Sequence, residues 1–209
     1  MSKPVRDEIP RKSVYRLSIY QRCLGRLKEN GVETVSSEAL ATAAGVKSTQ
    51  LRKDLAYFGQ FGTRGLGYNV ESLSNVIGEM LGRTSFQPVI LVGVGNLGSA
   101  LLRYQGFRKE GFEISAVFDV DPDRERRNTV TMKIKPQSEM VDYIKKNKVK
   151  MAILTVPADQ SQEVCNDMVK AGVQAVLNFS PTVLQVPENV VVNNVDLAVE
   201  LENLSYFIR

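Results

Sequence analysis

Val89-Ile90-Leu91-Val92-Gly93-Val94-Gly95-Asn96-Leu97-Gly98-Ser99-Ala100-Leu101-Leu102 is the stretch on which the fold turns. Four consecutive apolar residues suit a strand buried on both faces. A Gly-x-Gly-x-x-Gly turn follows at once, then the start of a helix. Gly93 permits the tight turn, Gly95 leaves room for a pyrophosphate against the backbone, and Gly98 lets helix and strand pack closely. Val94, Asn96 and Leu97 complete the turn, and a helix starting here offers free N–H groups and its positive dipole end to phosphate. Asp119 stands 21 residues after Gly98, at the end of the next apolar run. A carboxylate there accepts from ribose hydroxyls and repels a 2′-phosphate, which favours NAD(H) over NADP(H). Arg124, Arg126 and Arg127, a few residues on, weigh toward a 2′-phosphate. The other reading of the turn is structural, a glycine bend in an α/β domain.

Working outward, further apolar runs lie at 114–118, 151–156, 175–177 and 190–192, with helical stretches such as 138–147 and 159–171 between several of them. Strand–helix alternation at this spacing predicts βαβ units and a mostly parallel, doubly wound sheet. Ligands of such sheets sit outside the carboxyl ends of the strands. Thr155 and Pro157 stand at one such end, and Asn178, Ser180 and Pro181 at another. The alternative at each is a proline-stopped strand. Tyr104, after the first helix, suits packing more than ligand contact on its residue type alone.

Toward the N-terminus the chemistry changes. Gly82-Arg83-Thr84-Ser85-Phe86-Gln87-Pro88 reads as a linker. Before it, Val14, Leu17, Tyr20, Leu24 and Leu27 recur at helical spacing, and Gly31 ends that helix. A second helix starts near Ser36, whose hydroxyl can cap it, and stops at Gly45. A third runs from about Ser48 to Phe58, with Leu51, Leu55 and Phe58 on one side. The pair meets at Ala44-Gly45-Val46, a helix-turn-helix layout. The second of the pair is expected to present Ser48, Thr49, Gln50, Arg52 and Lys53 away from its apolar side, where they can reach base edges and phosphates when the helix lies in a major groove. Gly59 to Tyr68 holds four glycines around Arg64, which suits a β-hairpin wing reaching a minor groove. An ordinary helical hairpin with a polar face is the alternative. Residues 1–85 carry 13 Lys+Arg against 8 Asp+Glu, whereas residues 86–209 carry 14 against 15. A basic half joined to a near-neutral half fits a polyanion-binding module.

Composition excludes other classes. Of 209 residues, 43% are apolar and 24% charged, which argues against wholesale disorder. No apolar run reaches the ~18–20 residues that span a bilayer. Met1 to Glu8 has no apolar core of a secretory signal, so a cytoplasmic protein is expected. Cys23 and Cys165 are far apart and give neither a disulfide framework nor metal spacing. Histidine is absent, which removes Ser-His-Asp and Cys-His catalysis and His-based zinc sites; no catalytic residue and no metal are assigned. The last residues carry apolar positions Leu197, Leu201, Leu204 and Ile208 at helical spacing, a stripe that must be covered by its own sheet or by another chain.

Arg52-Lys53-Asp54-Leu55-Ala56-Tyr57-Phe58-Gly59, the wing Phe61–Tyr68, the turn Gly93–Gly98, Phe118-Asp119-Val120-Asp121-Pro122 and Leu177-Asn178-Phe179-Ser180-Pro181 together resemble the Rex family of redox-sensing transcriptional repressors, in order and over nearly the whole chain. The resemblance implies a winged-helix domain at 1–85, a Rossmann-like NAD(H)-binding domain at 86–195 and a dimerisation helix at 196–209 exchanged between the subunits of a homodimer. It further implies repression from double-stranded, pseudo-palindromic operator DNA, release by NADH, and NADH and NAD⁺ as effectors instead of redox substrates. Arg22, Tyr104 and Asp196 match the polar contacts linked to the cofactor switch, with Asp196 expected to change partners between Tyr104 and Arg22. Leu197 stands where some members carry an aromatic at the nicotinamide pocket. Two other classes remain open at this stage. One is an NAD-dependent dehydrogenase with an appended DNA-binding head; the other is a CoA- or nucleotide-binding assembly module.

Overall fold

The computed structural model describes residues 9–62, 66–123 and 132–208; Arg64, Arg124, Arg126 and Arg127 lie outside the described residues. The chain divides into two compact units, Met1–Ser85 and Phe86–Arg209.

In the first unit, α1 (Arg11–Glu29), α2 (Ser37–Ala43), α3 (Ser48–Ala56) and α4 (Val70–Met80) enclose one apolar core. Leu17, Tyr20 and Leu24 of α1 meet Leu40 of α2, Leu51 and Leu55 of α3, and Leu73 and Ile77 of α4. Truncating one such fully buried leucine to alanine costs about 2–5 kcal/mol. Val14 departs from the expected stripe and is 40% exposed; its neighbour Ser13 is buried instead, held by a polar contact with α3. Ser36 caps α2 as its sequence suggests, its Oγ accepting from the Ala39 N–H at 3.0 Å.

The glycine-rich segment ends in a strand whose partner lies earlier in the chain. β1 (Thr34–Val35) pairs antiparallel with β2 (Tyr68–Asn69), so the described end of the wing pairs outside the segment instead of within it. Gly67 makes the crossing possible: its φ is +82°, and a Cβ would strike the Val35 carbonyl. Asn69 then caps α4, its side chain accepting from the Ser72 N–H at 2.8 Å.

The second unit is a six-stranded, all-parallel sheet. Its strands are β3 (Gln87–Val92), β4 (Phe112–Asp119), β5 (Ile134–Pro136), β6 (Met151–Leu154), β7 (Ala175–Asn178) and β8 (Val191–Asn194). They lie in the order β5-β4-β3-β6-β7-β8, so the chain runs outward from β3 to one edge and crosses back to β6. α7 (Met140–Asn147) and α8 (Ala158–Ala171) cover one face, with Met140, Ile144, Val164 and Met168 packed on Ile90, Val92 and Leu154. α5 (Asn96–Leu102) and α6 (Gly106–Lys109) contribute Leu101, Leu102 and Phe107 to the other face. The segment between β7 and β8 carries no helix, and that face keeps an apolar groove of about 260 Å³ lined by Val89, Met151, Ile153, Leu177 and Val191. α9 (Leu197–Tyr206) ends the chain with no buried residue; Leu201 is 68% and Leu204 64% exposed. Cys23 and Cys165 are buried in their respective cores, and burial pushes the Cys165 thiol up.

Candidate functional site

The reversal of strand order falls between β3 and β6, and the glycine turn sits there. In open parallel sheets this is the crevice where a ligand meets the carboxyl ends of the strands. Thr155, directly after β6, ties the two ends together. Its N–H donates to the Val92 carbonyl at 2.9 Å and its Oγ1 to the Gly93 carbonyl at 2.6 Å. Gly93 has φ +91°, and a Cβ on Gly98 would drive into the Gly93 carbonyl, so turn and helix close only with glycine at both places. Gly95 differs: a Cβ there meets nothing within 4 Å. Its bare Cα therefore opens onto free space, as a pyrophosphate cradle requires. Gly95 is also the N-cap of α5 and supplies no side-chain acceptor, so the first N–H groups of that helix have no intrahelical partner.

Asp119 closes the other side of the turn. One carboxylate oxygen accepts from the Val94 N–H at 2.6 Å, and the other from the Asp121 N–H at 2.9 Å. The acid thus holds the glycine turn from the carboxyl end of β4. Among the remaining strand-end residues, Pro157 and Pro181 are exposed. Asn178 and Ser180 turn inward. Asn178 Nδ2 donates to the Thr182 carbonyl and to Asn194 Oδ1, both at 2.9 Å, while its Oδ1 accepts from the Ser180 N–H. Ser180 Oγ donates to the Val156 carbonyl at 2.6 Å. Both side chains are buried, and their polar atoms are engaged within the second unit. Tyr104 is 57% exposed, with its ring edge-on to Phe107 at 5.1 Å.

On α3, Thr49, Arg52 and Lys53 are exposed and Ser48 is half-buried at the helix start, as a groove-facing surface requires. Gln50 is half-buried, and its Nε2 donates to Asp54 Oδ1 at 2.9 Å. Asp54 itself is fully buried and saturated. It accepts from Ser13 Oγ at 2.9 Å, Arg16 Nη2 at 2.7 Å and Tyr20 OH at 2.8 Å, besides Arg16 Nε. Burial by itself would raise the Asp54 pKa; the hydrogen bonds from Arg16, Tyr20, Gln50 and Ser13 outweigh it and hold the carboxyl at about 2. The same partnership raises Arg16, and burial followed by Asp54 raises Tyr20. Sequence reading missed this clamp. Its signal was an acid between Leu51 and Leu55 on the buried side of a helix, with Gln50 four residues before it.

Arg22 lies exposed on α1 of the first unit, and Tyr104 and Asp196 belong to the second. Asp196 is the N-cap of α9, its Oδ1 accepting from the Ala198 and Val199 N–H groups at 2.9 and 3.2 Å. Among the described residues no group of three His, Cys, Asp or Glu could hold a metal ion, and no helix is long and apolar enough to cross a membrane.

Residues 84–182 match the family described as "CoA binding domain", and residues 8–56 the family described as "Putative DNA-binding protein N-terminus". The chain is 48% identical over 199 residues to the redox-sensing transcriptional repressor Rex of Pelotomaculum thermopropionicum, covering 95% of this chain and 93% of that one. Against the Rex of Carboxydothermus hydrogenoformans it is 46% identical over 202 residues, 97% of each chain. Among solved structures, RSP in complex with β-NAD⁺ and operator DNA superposes with a TM-score of 0.88 at 36% identity, covering 96% of this chain and 92% of that one. RSP in complex with β-NADH gives 0.84 at 34% identity, covering 96% and 94%.

Proposed function

Because the chain belongs to the Rex family of redox-sensing transcriptional repressors, we propose that it represses from pseudo-palindromic operator DNA as a homodimer and leaves that DNA when NADH binds. The observation that carries the reading is the Gly93–Gly98 turn and Thr155 at the strand-order reversal, in one chain with a helix-turn-helix whose α3 exposes Thr49, Arg52 and Lys53. It is a regulator and not an enzyme, and NADH and NAD⁺ are its effectors. A regulator bound to operator DNA works where that DNA is, in the cytoplasm.

The chain's own residues suit the dinucleotide. The turn's backbone and the α5 N-terminus receive the pyrophosphate at Gly95, and Asp119 takes the ribose. Val94, Asn96, Leu97, Thr155, Pro157, Asn178, Ser180 and Pro181 form the surrounding rim. NADH and NAD⁺ share everything except the charge and pucker of the nicotinamide, so switching requires different affinities of the two for the DNA-competent state. A coupling of about 1–3 kcal/mol changes DNA affinity about 5–150-fold. Arg22, Tyr104 and Asp196 are the polar residues we assign to that discrimination. Asp196 is well placed to transmit it, since a change of partner at its carboxylate competes with a helix cap worth about 1 kcal/mol.

The homodimer follows from what one chain leaves uncovered. α9 buries none of its apolar residues, and the sheet keeps a bare apolar groove. Exchange of α9 between subunits covers apolar surface that a monomer would leave to water. Two α3 helices about 34–36 Å apart then meet successive major grooves, which makes the operator pseudo-palindromic. A gel-shift titration of operator DNA tests the whole reading: NADH should release the complex at concentrations where NAD⁺ leaves it intact. Equal release by both, or by neither, would overturn it.

A further inference from the structure

The amide of Gln50 can present either of two faces to a base edge. Turned one way it leads with a donor, which suits the oxygens of guanine and thymine; turned the other it leads with an acceptor, which suits the amino groups of adenine and cytosine. A free glutamine flips between them. Gln50 is not free. Its nitrogen lies 2.9 Å from Asp54 Oδ1, and an ionised carboxylate can only accept, so the nitrogen must be the atom turned inward. Asp54 cannot itself turn away, because Ser13, Arg16 and Tyr20 hold both of its oxygens. The carbonyl Oε1 of Gln50 has no partner among the described residues and is not sealed from solvent. Gln50 is the third residue of α3, in the N-terminal part of the helix that helix-turn-helix proteins apply to base edges.

We propose that Gln50 is a specificity-determining residue of the operator contact, and that Asp54 is its positioning residue, fixing the amide with Oε1 toward the groove so that it selects a base whose exocyclic amine faces the major groove, adenine or cytosine. Asp54 takes one of the two Nε2 hydrogens and leaves Oε1 leading, which biases a side chain able to read four bases toward two, adenine and cytosine. It also removes the entropy of ordering the amide at the moment of binding. This inference rests on the DNA-binding reading above.

The test is selection from a randomised operator half-site by the full-length protein with NAD⁺, followed by affinities for single-base variants. Wild type should prefer adenine or cytosine at one position per half-site by about fivefold over guanine or thymine, the low end of the range for a bidentate pair, since a single acceptor leads. Gln50→Ala should flatten that position alone. Gln50→Glu, which has only acceptors, should keep the amine preference. Asp54→Asn should let guanine and thymine in at the same position while the other preferences stand, a change that a merely structural role would not produce. Should Asp54→Asn fail to fold, the two Gln50 variants decide alone. An unaltered profile in Gln50→Ala, or a guanine or thymine preference at the Gln50-dependent position, overturns the proposal. Sequence-independent binding by wild type overturns the operator reading itself, and this proposal with it.

Discussion

Asp54→Asn removes the charge at the centre of the first unit's polar cluster. The wild-type carboxyl sits at about 2 when folded, against an ordinary 3.8. A difference near two units is worth about 2 kcal/mol of stability. The sign follows from the depressed folded value: the contribution is complete above pH 4 and drains away as pH falls through 2, with about two-thirds gone by pH 2.5. At pH 7 the substitution should cost more than that, about 3 kcal/mol, because Arg16 keeps its charge and loses its counter-ion. Ser13 and Tyr20 can rotate their hydroxyls toward an amide oxygen; the Arg16 guanidinium has only donors. The assay is urea unfolding followed by hydrogen exchange in peptides from α1 and α3, at pH 7 and again at pH 2.5. The gap between wild type and variant should be wide at pH 7 and clearly narrower at pH 2.5. A variant as stable as wild type at pH 7, or a gap that does not change with pH, would refute the ionic clamp.

Gly95→Val should fold normally, since a side chain there meets open space, yet lower NADH affinity at least tenfold in calorimetry by filling the pyrophosphate position. Gly98→Ala should do the opposite first and cost about 2 kcal/mol of stability in the second unit, visible in thermal melts, because its Cβ meets the Gly93 carbonyl and lies 2.9 Å from Thr155 Oγ1. Leu201→Glu with Leu204→Glu should shift sedimentation from dimer to monomer without loss of helix signal, as neither residue is buried in its own chain. Arg52→Ala and Lys53→Ala should each weaken operator binding and lower the salt slope by about one if they contact phosphate.

The sheet was legible where its strands are continuous and apolar. Val89–Val92, with its glycine turn, announces both the element and its place in the topology. β5 was not legible, because Ile134–Pro136 is three residues long and carries a lysine; its pairing with β4 makes it a strand. α4 is less legible although Val70, Leu73 and Ile77 have helical spacing, because Ser72, Ser74, Asn75 and Gly78 are weak helix formers. At the site, backbone chemistry was readable and side-chain partnership was not. Glycine spacing dictated where phosphate could approach. The local bonds of Asn178 to Ser180 and Thr182 are ordinary for a turn, but its bond to Asn194 and that of Ser180 to the Val156 carbonyl join distant segments and were not readable locally. Likewise Gln50 looked like any polar residue on a helix face until Asp54 was seen to be saturated by α1.

Both cysteine sulfurs of this chain lie in protein interiors. Cys165 is sealed between α8 and the sheet, and Cys23 donates to the Ala43 carbonyl at 3.4 Å. A thiol so enclosed is a poor target for peroxide, because attack requires an accessible thiolate. Histidine, the side chain that would register the pH of the cell interior, is missing altogether. Thiol chemistry and imidazole titration, two common routes by which a protein registers oxidant or acid, therefore have no exposed group of this chain to act on among the described residues.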